Sequence, residues 1–416
     1  MIARVKGTHD RLDLSLYNYV LAKASQHFGT YNFTEISTPI LEHIELFKRS
    51  LGVYTDVVSK EMFLIDNKGS EPELCLRPEL TASIVRAFVE NNVDTVPWKV
   101  FSSGPAFRYE RPQKGRYREF HHISVEMIGV PSLSYDVECI VMLNRFFSDI
   151  LQFDNYALHL NFLGTPAERI THAQKLVKFL NTHNTDICET CQVRKEVNPL
   201  RVFDCKNEAC ITLYVDAPMI TDCLSPESEQ AWQQVQSQLG MLGVSYTHRP
   251  TLVRGLDYYN KTVFEFVSGE LGAQNTFCGG GRYDYLVSHI GGKQDQPSIG
   301  AAIGIERLLM LLEPISNNFL LPQKRPLTVI IPVETSQHPL ALYIADHVRR
   351  HGICVDTFLE ESSLKGMMRK ANKWGAHTVL IVGEEEQRTQ TVTIKHMTTG
   401  ETKTVPQIDV VKYLQK

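Results

Sequence analysis

Polar and apolar residues alternate along the stretch from Phe120 to Met127, and this period of two predicts a β-strand with two different faces. Its apolar face would consist of Ile123, Val125 and Met127, and its polar face of Phe120, His122, Ser124 and Glu126. Arg108 and Glu110 share one face of another predicted strand just before it, across a loop that contains Pro112 and Gly115. The two segments therefore predict a β-hairpin with one polar face.

The loop of this predicted hairpin is basic. Its cations are Arg111, Lys114, Arg116 and Arg118, which fall within eight residues. A solvated strand also alternates, so the alternation alone indicates no more than an exposed face. The basic loop, together with carboxylates, an imidazole and an aromatic ring on the polar face, indicates instead a site for an anionic ligand.

Helical and strand patterns are mixed along the first third of the chain. Apolar residues at helical spacing predict one helix from Leu14 to Phe28 and a second from Ile40 to Leu51, with a strand between them. The stretch from Asp56 to Asn92 predicts a hairpin that leads through Arg77-Pro78-Glu79 into another helix. Antiparallel strands with helices at the edges are typical of an α+β domain.

Two changes of pattern divide the rest of the chain. Helical periodicity dominates between Gly164 and Leu239, and strands resume at LVRGLDYYNKTVFEFV. After the proline-punctuated stretch Pro314–Pro326, strand and helix patterns alternate over about ninety residues, which predicts a compact α/β domain. We therefore assign 1–163 and 240–314 to the α+β domain, 164–239 to a helical insertion, 315–326 to a linker and 327–416 to the α/β domain.

The composition is that of a globular protein. The 416 residues exceed what one ordinary core supports, and 43% of them are hydrophobic and 22% charged. The formal net charge of -4 means that any nucleic acid must be bound by local basic patches. The first residues carry charges where a signal peptide needs an apolar core, and apolar runs are short, so we expect a cytoplasmic protein without a membrane span.

Four of the nine cysteines are close together in the predicted insertion. They are Cys188, Cys191, Cys205 and Cys210, and the first pair has the Cys-x2-Cys spacing of a zinc site. The second spacing, Cys-x4-Cys, is at the loose end of the usual range. We prefer the interpretation of buried or incidental thiols, with Zn²⁺ at these four residues as the alternative.

Arginines occur in contexts suited to a polyphosphate. Arg108 lies on the polar strand face, Arg254 has a glycine beside it in a predicted strand, and Arg307 lies in the first turn of a helix after a glycine-rich strand. The sequence contains neither a GxxxxGK[ST] loop nor a strand-GxGxxG-helix unit. A nucleotide would therefore be held by an antiparallel sheet and by arginines.

The segments FRYERPQKGRYREF, LVRGLDYY, GGGRYD and GAAIGIERL together resemble the histidyl-tRNA synthetases, a family of class II aminoacyl-tRNA synthetases. FRxE and GxERL belong to class II enzymes generally, whereas LVRGLDYY and GGRYD are specific to the histidyl enzymes. The resemblance extends over nearly the whole chain. It implies an antiparallel-sheet catalytic domain with a helical insertion and a C-terminal α/β anticodon-binding domain. It also implies a homodimer, with the segment 39–51 at the subunit interface.

The activity implied by this resemblance is ATP-dependent ligation of L-histidine to its cognate tRNA through a histidyl-adenylate, with Mg²⁺ on the ATP phosphates. The implied ATP-binding residues are Arg108, Glu110, Phe120 and Arg307, and the implied catalytic residues are Arg254 and Arg108. The implied histidine-binding residues are Glu79, Leu80, Thr81, Arg108, His122, Glu126, Arg254, Tyr258, Tyr259 and Tyr283. At the tRNA acceptor end, the resemblance implies Arg111, Gln113 and Arg116, with Gln113 reading a base.

Three positions depart from the family pattern: His122 replaces a usual glutamine, and Leu80 and Tyr285 replace usual glycines. A neutral His122 can accept a hydrogen bond from the substrate ammonium group, whereas an imidazolium cannot. We therefore expect activity to fall below about pH 6.5.

A basic stripe lies on one predicted helix of the C-terminal domain. It consists of Lys365, Arg369, Lys370 and Lys373. Such a stripe is either a solvated face or, in this domain, a contact for tRNA phosphates.

Two other functions fit parts of the sequence. A non-catalytic, synthetase-like subunit that senses histidine would be expected to lack the arginines and the anticodon domain, yet both are present. An RNA-binding regulator without catalysis leaves Arg108, Arg254 and Arg307 unexplained. We therefore favour the ligase.

Overall fold

The computed structural model describes residues 2–52, 55–66, 69, 73–321 and 325–415. The chain divides into two compact units, residues 1–321 and 322–416. No helix in these described ranges is long and apolar enough to cross a membrane.

Eight strands of the first unit form one mainly antiparallel sheet. The strands of this unit are β1 (Thr34–Glu35), β2 (Leu41–His43), β3 (Phe63–Ile65), β4 (Leu74–Leu76), β5 (Trp98–Phe107), β6 (Glu119–Ile128), β7 (Ala157–Phe162), β8 (Thr247–His248), β9 (Asn260–Val267), β10 (Thr276–Arg282) and β11 (Ser298–Gly304). The order in the large sheet is β1-β5-β6-β11-β10-β9-β7-β8, and β2, β4 and β3 form a small second sheet. Only the edge pairs β1/β5 and β7/β8 are parallel. The predicted α+β class is confirmed.

Helices pack against both faces of this sheet. They are α1 (Ser15–Gly29), α2 (Ile44–Leu51), α3 (Thr81–Glu90), α4 (Ser134–Arg145), α5 (Pro166–Thr182), α6 (Glu189–Val197), α7 (Glu208–Leu213), α8 (Pro226–Met241), α9 (Leu286–His289) and α10 (Ile305–Leu312). Helix α5 begins at a capping box, in which Thr165 and Glu168 satisfy each other's backbone N–H groups. Helices α5 to α7 lie within the predicted insertion, and α8 extends two residues beyond its end.

The main core lies between the sheet and the helices α1 and α4. The predicted apolar face of β6, which carries Ile123, Val125 and Met127, is fully buried there beside Phe28 and Ile140. Burial of each large apolar side chain contributes about 1.5–3 kcal/mol. The core therefore fixes which side chains of β6 face the opposite, polar side.

The hairpin of β5 and β6 is confirmed, but its polar residues are distributed differently from the prediction. Phe107 pairs with Glu119, and β5 ends there, so Arg108 and Glu110 lie in the loop. The chain turns at this point, because the Glu110 N–H donates to the Arg108 carbonyl at 2.8 Å. Arg254 likewise lies in a loop, since β9 begins only at Asn260.

The predicted helix from Ile40 to Leu51 is wrong in its first turn. Residues Leu41–His43 form β2, which pairs with β4 through Leu41 and Leu76. The buried Glu42 accepts hydrogen bonds from Arg86 at 2.8–3.2 Å. These contacts with distant residues favour an extended backbone, and α2 begins only at Ile44.

The second unit is a five-stranded sheet with helices. Its elements are β12 (Leu327–Pro332), α11 (His338–Arg350), β13 (Val355–Thr357), α12 (Leu364–Lys373), β14 (Ala376–Val382), α13 (Glu384–Thr389), β15 (Thr391–His396), β16 (Thr402–Pro406) and α14 (Val410–Leu414). Strands β13, β12 and β14 are parallel, and β15 and β16 add to them in antiparallel fashion. The predicted α/β pattern is confirmed, with β16 as an addition. In the predicted linker, 322–324 lie outside the described residues.

Candidate active site

The polar face of the large sheet forms the floor of a cavity of about 180 Å³. Strands β6, β10 and β11 contribute to it, together with the loops before α3 and β9 and the loop of the β5/β6 hairpin. Of the predicted site residues, the cavity is lined by Glu79, Thr81, Arg108, Glu110, Arg116, Phe120, His122, Arg254, Tyr258, Tyr259 and Arg307. Segments that are far apart in the sequence thus bring their charged and aromatic residues to one place.

Other predicted site residues lie behind or outside this cavity. Glu126 and Tyr283 are almost fully buried behind its wall. Leu80 packs in a small core with Ile84, Val100 and Ala106, and it does not line the cavity. Arg111 and Gln113 are exposed on the outer side of the hairpin loop.

Glu126 is a fully buried carboxylate with three hydroxyl partners. Its Oε1 accepts hydrogen bonds from Thr81 at 2.7 Å and from Ser124 at 2.8 Å, and the Tyr283 hydroxyl donates to Oε2. Burial raises the pKa of Glu126 to about 7. Gly300 pairs with Glu126 across the sheet, and a β-carbon there would overlap the carboxylate. The glycine in β11 therefore makes room for this acid.

Glu79 caps the helix that leads away from the cavity. Its two carboxylate oxygens accept hydrogen bonds from the backbone N–H groups of Thr81 and Ala82, at 2.6 and 2.8 Å. A carboxylate at a helix N-terminus is stabilised by these donors and by the helix dipole. Burial nevertheless raises the pKa of Glu79. The residue combines a fixed orientation with lone pairs that can accept from a ligand cation.

Arg254 extends from its loop across the glycine-rich strand β10. Its guanidinium pairs with Glu265 on β9. A β-carbon at Gly279 would lie 2.7 Å from both terminal nitrogens, so the cation rests directly on the β10 backbone. Although burial acts against the charged form, Glu265 raises the pKa of Arg254 above its usual value. Arg254 is therefore a permanent cation in a fixed position.

Arg108 and Arg307 add two more cations on other sides of the cavity. The Arg108 guanidinium lies 5.4 Å from the centre of the Phe120 ring, and its Nε donates to the Pro78 carbonyl at 3.0 Å. Arg307 donates to the carbonyls of Gly115 and Thr276, at 2.8 and 2.6 Å. Burial, and then repulsion from neighbouring cations, lowers the pKa of Arg307 to about 10. These guanidinium groups offer multi-donor partners of the kind that phosphate oxygens favour.

Comparison with known proteins shows the family of the chain. The family model for histidyl-tRNA synthetase matches residues 13–308, and the model for an anticodon-binding domain matches residues 328–416. The chain belongs to the histidyl-tRNA synthetase family. The histidine–tRNA ligase of Acetivibrio thermocellus is 40% identical over 96% of both chains, and that of Moorella thermoacetica is 40% identical over 100% of this chain and 98% of its own. The structure of apo histidyl-tRNA synthetase from S. aureus matches with a TM-score of 0.80 and 32% identity, over 100% of both chains.

The segment GGGRYD contains a structural arginine. Arg282 is fully buried, and its guanidinium bonds to Asp136 at 2.5–3.1 Å and to Asp284 at 3.0 Å. Asp284 also accepts from Asn260 and Lys261, at 2.9 and 2.8 Å. This network fixes the end of β10 to the start of β9, and it holds Tyr283 against Glu126.

His122 lies on β6 between Phe120 and Ser124, and it lines the cavity. Its ring centre lies 4.9 Å from that of Phe120, and its Nδ1 has no hydrogen-bond partner among the residues that the structure describes. Burial, followed by Arg108 and Arg307, lowers the pKa of His122 to about 3. The ring stays neutral near pH 6, so the expected loss of activity below pH 6.5 does not arise from this residue.

Two cations of the hairpin loop make contacts within the protein. Arg116 pairs with the buried Glu110, and the Arg118 guanidinium stacks on Tyr109 with a distance of 3.9 Å to the ring centre. A tight turn forms at Gly115, where φ is +73° and the backbones of Gln113 and Arg116 bond to each other. The turn presents Gln113 to solvent.

The sequence analysis missed two acids of the site. Glu265 follows an apolar residue in the strand pattern NKTVFEFV, and only its contact with Arg254 shows its role. Glu306, beside Arg307, accepts from the backbone N–H of His121 at 2.9–3.0 Å and from Arg11 at 2.5 Å. A charged residue within an otherwise buried strand or helix turn was the available signal in both cases.

The four cysteines of the insertion also come together. The Sγ atoms of Cys188, Cys191, Cys205 and Cys210 all lie within 4.8 Å of one another. This cluster is separate from the cavity described above.

Proposed function

We propose that this chain is a histidine–tRNA ligase that uses the cavity of the large sheet for both steps of the reaction. In the first step, a carboxylate oxygen of L-histidine attacks the α-phosphorus of ATP, the bond to the β-phosphate oxygen breaks, and histidyl-adenylate and pyrophosphate form. In the second, the terminal adenosine hydroxyl of the tRNA takes the histidyl group and AMP leaves. The convergence of three arginines and the histidyl-specific tyrosines on one cavity carries this proposal.

The arginines supply what phosphoryl transfer needs from a protein. ATP enters as its Mg²⁺ complex, in which the metal neutralises the outer phosphates. Arg108 would bind the α-phosphate and the histidine carboxylate, and Arg307 would bind the γ-phosphate. Arg254 would stabilise the negative charge that develops on the α-phosphoryl oxygens. Because Arg254 is already fixed by Glu265 and the β10 backbone, it stabilises that charge with little reorganisation. The Phe120 ring would stack on adenine, with Glu110 near the adenine amino group.

The site would recognise both the α-ammonium group and the imidazole ring of histidine. Glu79 accepts from the α-ammonium group near the Thr81 hydroxyl, and neutral His122 can accept beside them. The ring would extend toward Glu126 and Tyr283, and it would displace one of the hydroxyls that now donate to this carboxylate. Tyr258 and Tyr259, whose hydroxyls lie 3.4 Å apart, would close the ring site. A ligand without ring nitrogens would leave these buried groups unpaired and would be rejected.

Contacts with tRNA belong to two exposed regions. Arg111 and Gln113 on the hairpin loop would meet the acceptor end, together with Arg116. On α12, Lys365, Arg369 and Lys373 are exposed at four-residue spacing, which suits contact with phosphates. Lys370 instead bonds to Glu360 at 2.8 Å.

A cytoplasmic homodimer is part of the proposal. The small sheet and the residue before it expose Ile40, Leu41 and Leu64, whose relative exposures are 40%, 52% and 64%. Such apolar surface is typical of an interface between subunits, and it includes the start of the segment 39–51. The oligomeric state can be measured by analytical ultracentrifugation.

The alternative is a histidine-sensing regulatory subunit without ligase activity. A solved structure described as an ATP phosphoribosyltransferase regulatory subunit/histidyl-tRNA synthetase from Bacillus halodurans matches with a TM-score of 0.63 and 18% identity, which is a likeness of fold alone. Histidine-dependent exchange of pyrophosphate into ATP separates the two functions. We expect exchange, and also charging of tRNA with histidine. A folded protein that binds histidine but does not catalyse pyrophosphate exchange would contradict the ligase proposal.

A further inference from the structure

The cysteine cluster of the insertion has the geometry of a metal site. A tetrahedral Zn²⁺ with Zn–S bonds of about 2.3 Å requires sulfurs about 3.8 Å apart. The Sγ atoms of Cys188 and Cys205 are 3.7 Å apart, and all four sulfurs lie within 4.8 Å of one another. A disulfide joins only two sulfurs at about 2.05 Å, and all four residues are free thiols here. The spacing fits one ion rather than a larger metal–sulfur cluster.

Backbone donors already point at these sulfurs. The N–H of Cys188 lies 3.3 Å from the Cys210 Sγ, and the N–H of Asn207 lies 3.4 Å from the Cys205 Sγ. Such N–H groups stabilise thiolates, which are the form that binds a metal. Cys188 also precedes the first residue of α6, and Cys191 lies within the first turn of this helix.

The local fold provides little other stabilisation. Helices α6 and α7, which carry Cys191 and Cys210, have nine and six residues. Their core consists of eight buried residues, of which two are the cysteines Cys191 and Cys210. A metal that joins the cysteines would add to the stability of this small core.

The segment between the two cysteine pairs contacts the loop of Arg254. Arg201 donates to the Arg254 carbonyl at 3.2 Å and pairs with Asp204 at 3.1 Å. Asn198 donates to Asp257 at 2.9 Å. A metal that joins the two cysteine pairs therefore holds both ends of the segment that supports this loop.

We propose that Cys188, Cys191, Cys205 and Cys210 bind one Zn²⁺ as a structural tetrathiolate site, and that this site fixes the segment 198–204 against the Arg254 loop. A mononuclear iron site would use the same four ligands. We prefer zinc because it has no redox chemistry, which suits a purely structural site. The first part of the proposal is independent of catalysis. The second part rests on the proposed function, because it assigns Arg201 a positioning role for Arg254.

The metal is tested by elemental analysis of the full-length protein, produced without a histidine tag and kept reduced. We expect about one zinc per chain, which a thiol-blocking mercurial releases as the four thiols react. Cys205→Ser should lose the metal, whereas the matched variant Cys223→Ser, whose cysteine lies in the same insertion but outside the cluster, should keep it. Because Cys205→Ser could misfold, Co²⁺ substitution of the unmodified chain provides a second test through the absorption bands of a tetrahedral cobalt thiolate.

Several results would overturn the zinc site. They are a metal-free protein after growth with added zinc, stoichiometric iron in place of zinc, two disulfides among the four cysteines, or equal metal content in the two serine variants.

The positioning role is tested by Arg201→Gln in the metal-loaded protein. We expect the kcat of pyrophosphate exchange to fall about tenfold with little change in the Kd of histidine, and Arg201→Lys to restore part of it. Unchanged kcat in Arg201→Gln overturns this part, provided that Arg254→Ala is impaired. If Arg254→Ala is also unimpaired, the error lies instead in the proposed function of Arg254.

Discussion

Arg254 and Glu265 form an ion pair across the floor of the cavity, between a loop and the neighbouring strand β9. The Arg254 guanidinium lies against the backbone of β10 at Gly279. A side chain larger than hydrogen at this position would overlap the guanidinium. A carboxylate partner keeps the cation charged and oriented before any substrate is present. This is the arrangement expected of a group that stabilises charge in a transition state.

Replacing Arg254 with alanine should therefore impair adenylation more than histidine binding. We expect the kcat of pyrophosphate exchange to fall by about 10²–10³-fold, as when one pre-positioned charge-stabilising group is removed. The Kd of histidine, measured by calorimetry, should change far less. A raised Kd with an unchanged kcat would show that Arg254 binds the substrate and does not stabilise the transition state.

The close contact at Gly279 makes a second, independent prediction. In Gly279→Ala, the new methyl group would displace the Arg254 guanidinium, which lies 2.7 Å from the position of the β-carbon. We expect kcat to fall by about 10²-fold, since small misplacements of a catalytic group have effects of this size.

Gly240→Ala is the matched control for this change. Gly240 lies in α8, and a β-carbon there would have no atom within 4 Å. Alanine should stabilise the helix by about 0.5–1 kcal/mol and leave exchange unchanged. Equal activity of the two variants would argue against a required position for Arg254.

The sequence could predict features that depend on local pattern. The two faces of β6 follow from alternation, and the place of Arg307 in the first turn of α10 follows from the glycine-rich strand before it. It could not predict contacts between distant segments. The first turn of the predicted helix at Ile40 became β2 because of pairing with β4, and the partner of Arg254 depends on how the loop folds over β9.

The cysteine cluster illustrates the same limit. The irregular spacing of its second pair made zinc the less favoured interpretation. The folded chain brings the two pairs together because α6, the segment 198–204 and α7 turn back on one another, and such turns leave no periodic signal.

The pH dependence of histidine binding should come from Glu126. Burial raises the pKa of this carboxyl to about 7, so it loses its charge as the pH falls through 7. Since the ionised form accepts from the ring of the substrate, the affinity for histidine should fall below pH 7, by up to about tenfold per pH unit. Glu126→Gln should bind histidine weakly at every pH.

Calorimetric titration from pH 5.5 to 8 with both proteins tests this assignment. The ring of free histidine titrates in the same range, but it does so equally for both. The ratio of the two Kd values isolates the contribution of Glu126. A ratio that stays constant over this range would contradict the prediction.

His122 should affect stability, rather than activity, as the pH falls. Its pKa is about 3 in the folded protein and about 6.5 in an unfolded chain, so between these values the unfolded state binds the additional proton. The free energy of unfolding should therefore fall below pH 6.5, by at most about 1.4 kcal/mol per pH unit from this group. His122→Gln lacks this contribution.

Urea unfolding at pH 7.5 and 5.5 compares the two proteins. All other titrating groups are shared, and the wild type should lose more stability than His122→Gln between these values. Equal losses would show that His122 is protonated in the folded protein as readily as in the unfolded chain.

The exposed turn at Gln113 should matter only for the second step. Its side chain lies outside the cavity, on the solvent side of the basic loop, where an unpaired tRNA end can reach it. A single base contact contributes about 1–3 kcal/mol, so Gln113→Ala should lower kcat/KM for tRNA by about 5- to 150-fold. Pyrophosphate exchange should be unchanged, because ATP and histidine bind inside the cavity. Gln26→Ala, the same change at an exposed position of α1, is the control, and an equal effect of both variants on charging would remove Gln113 from the tRNA interface.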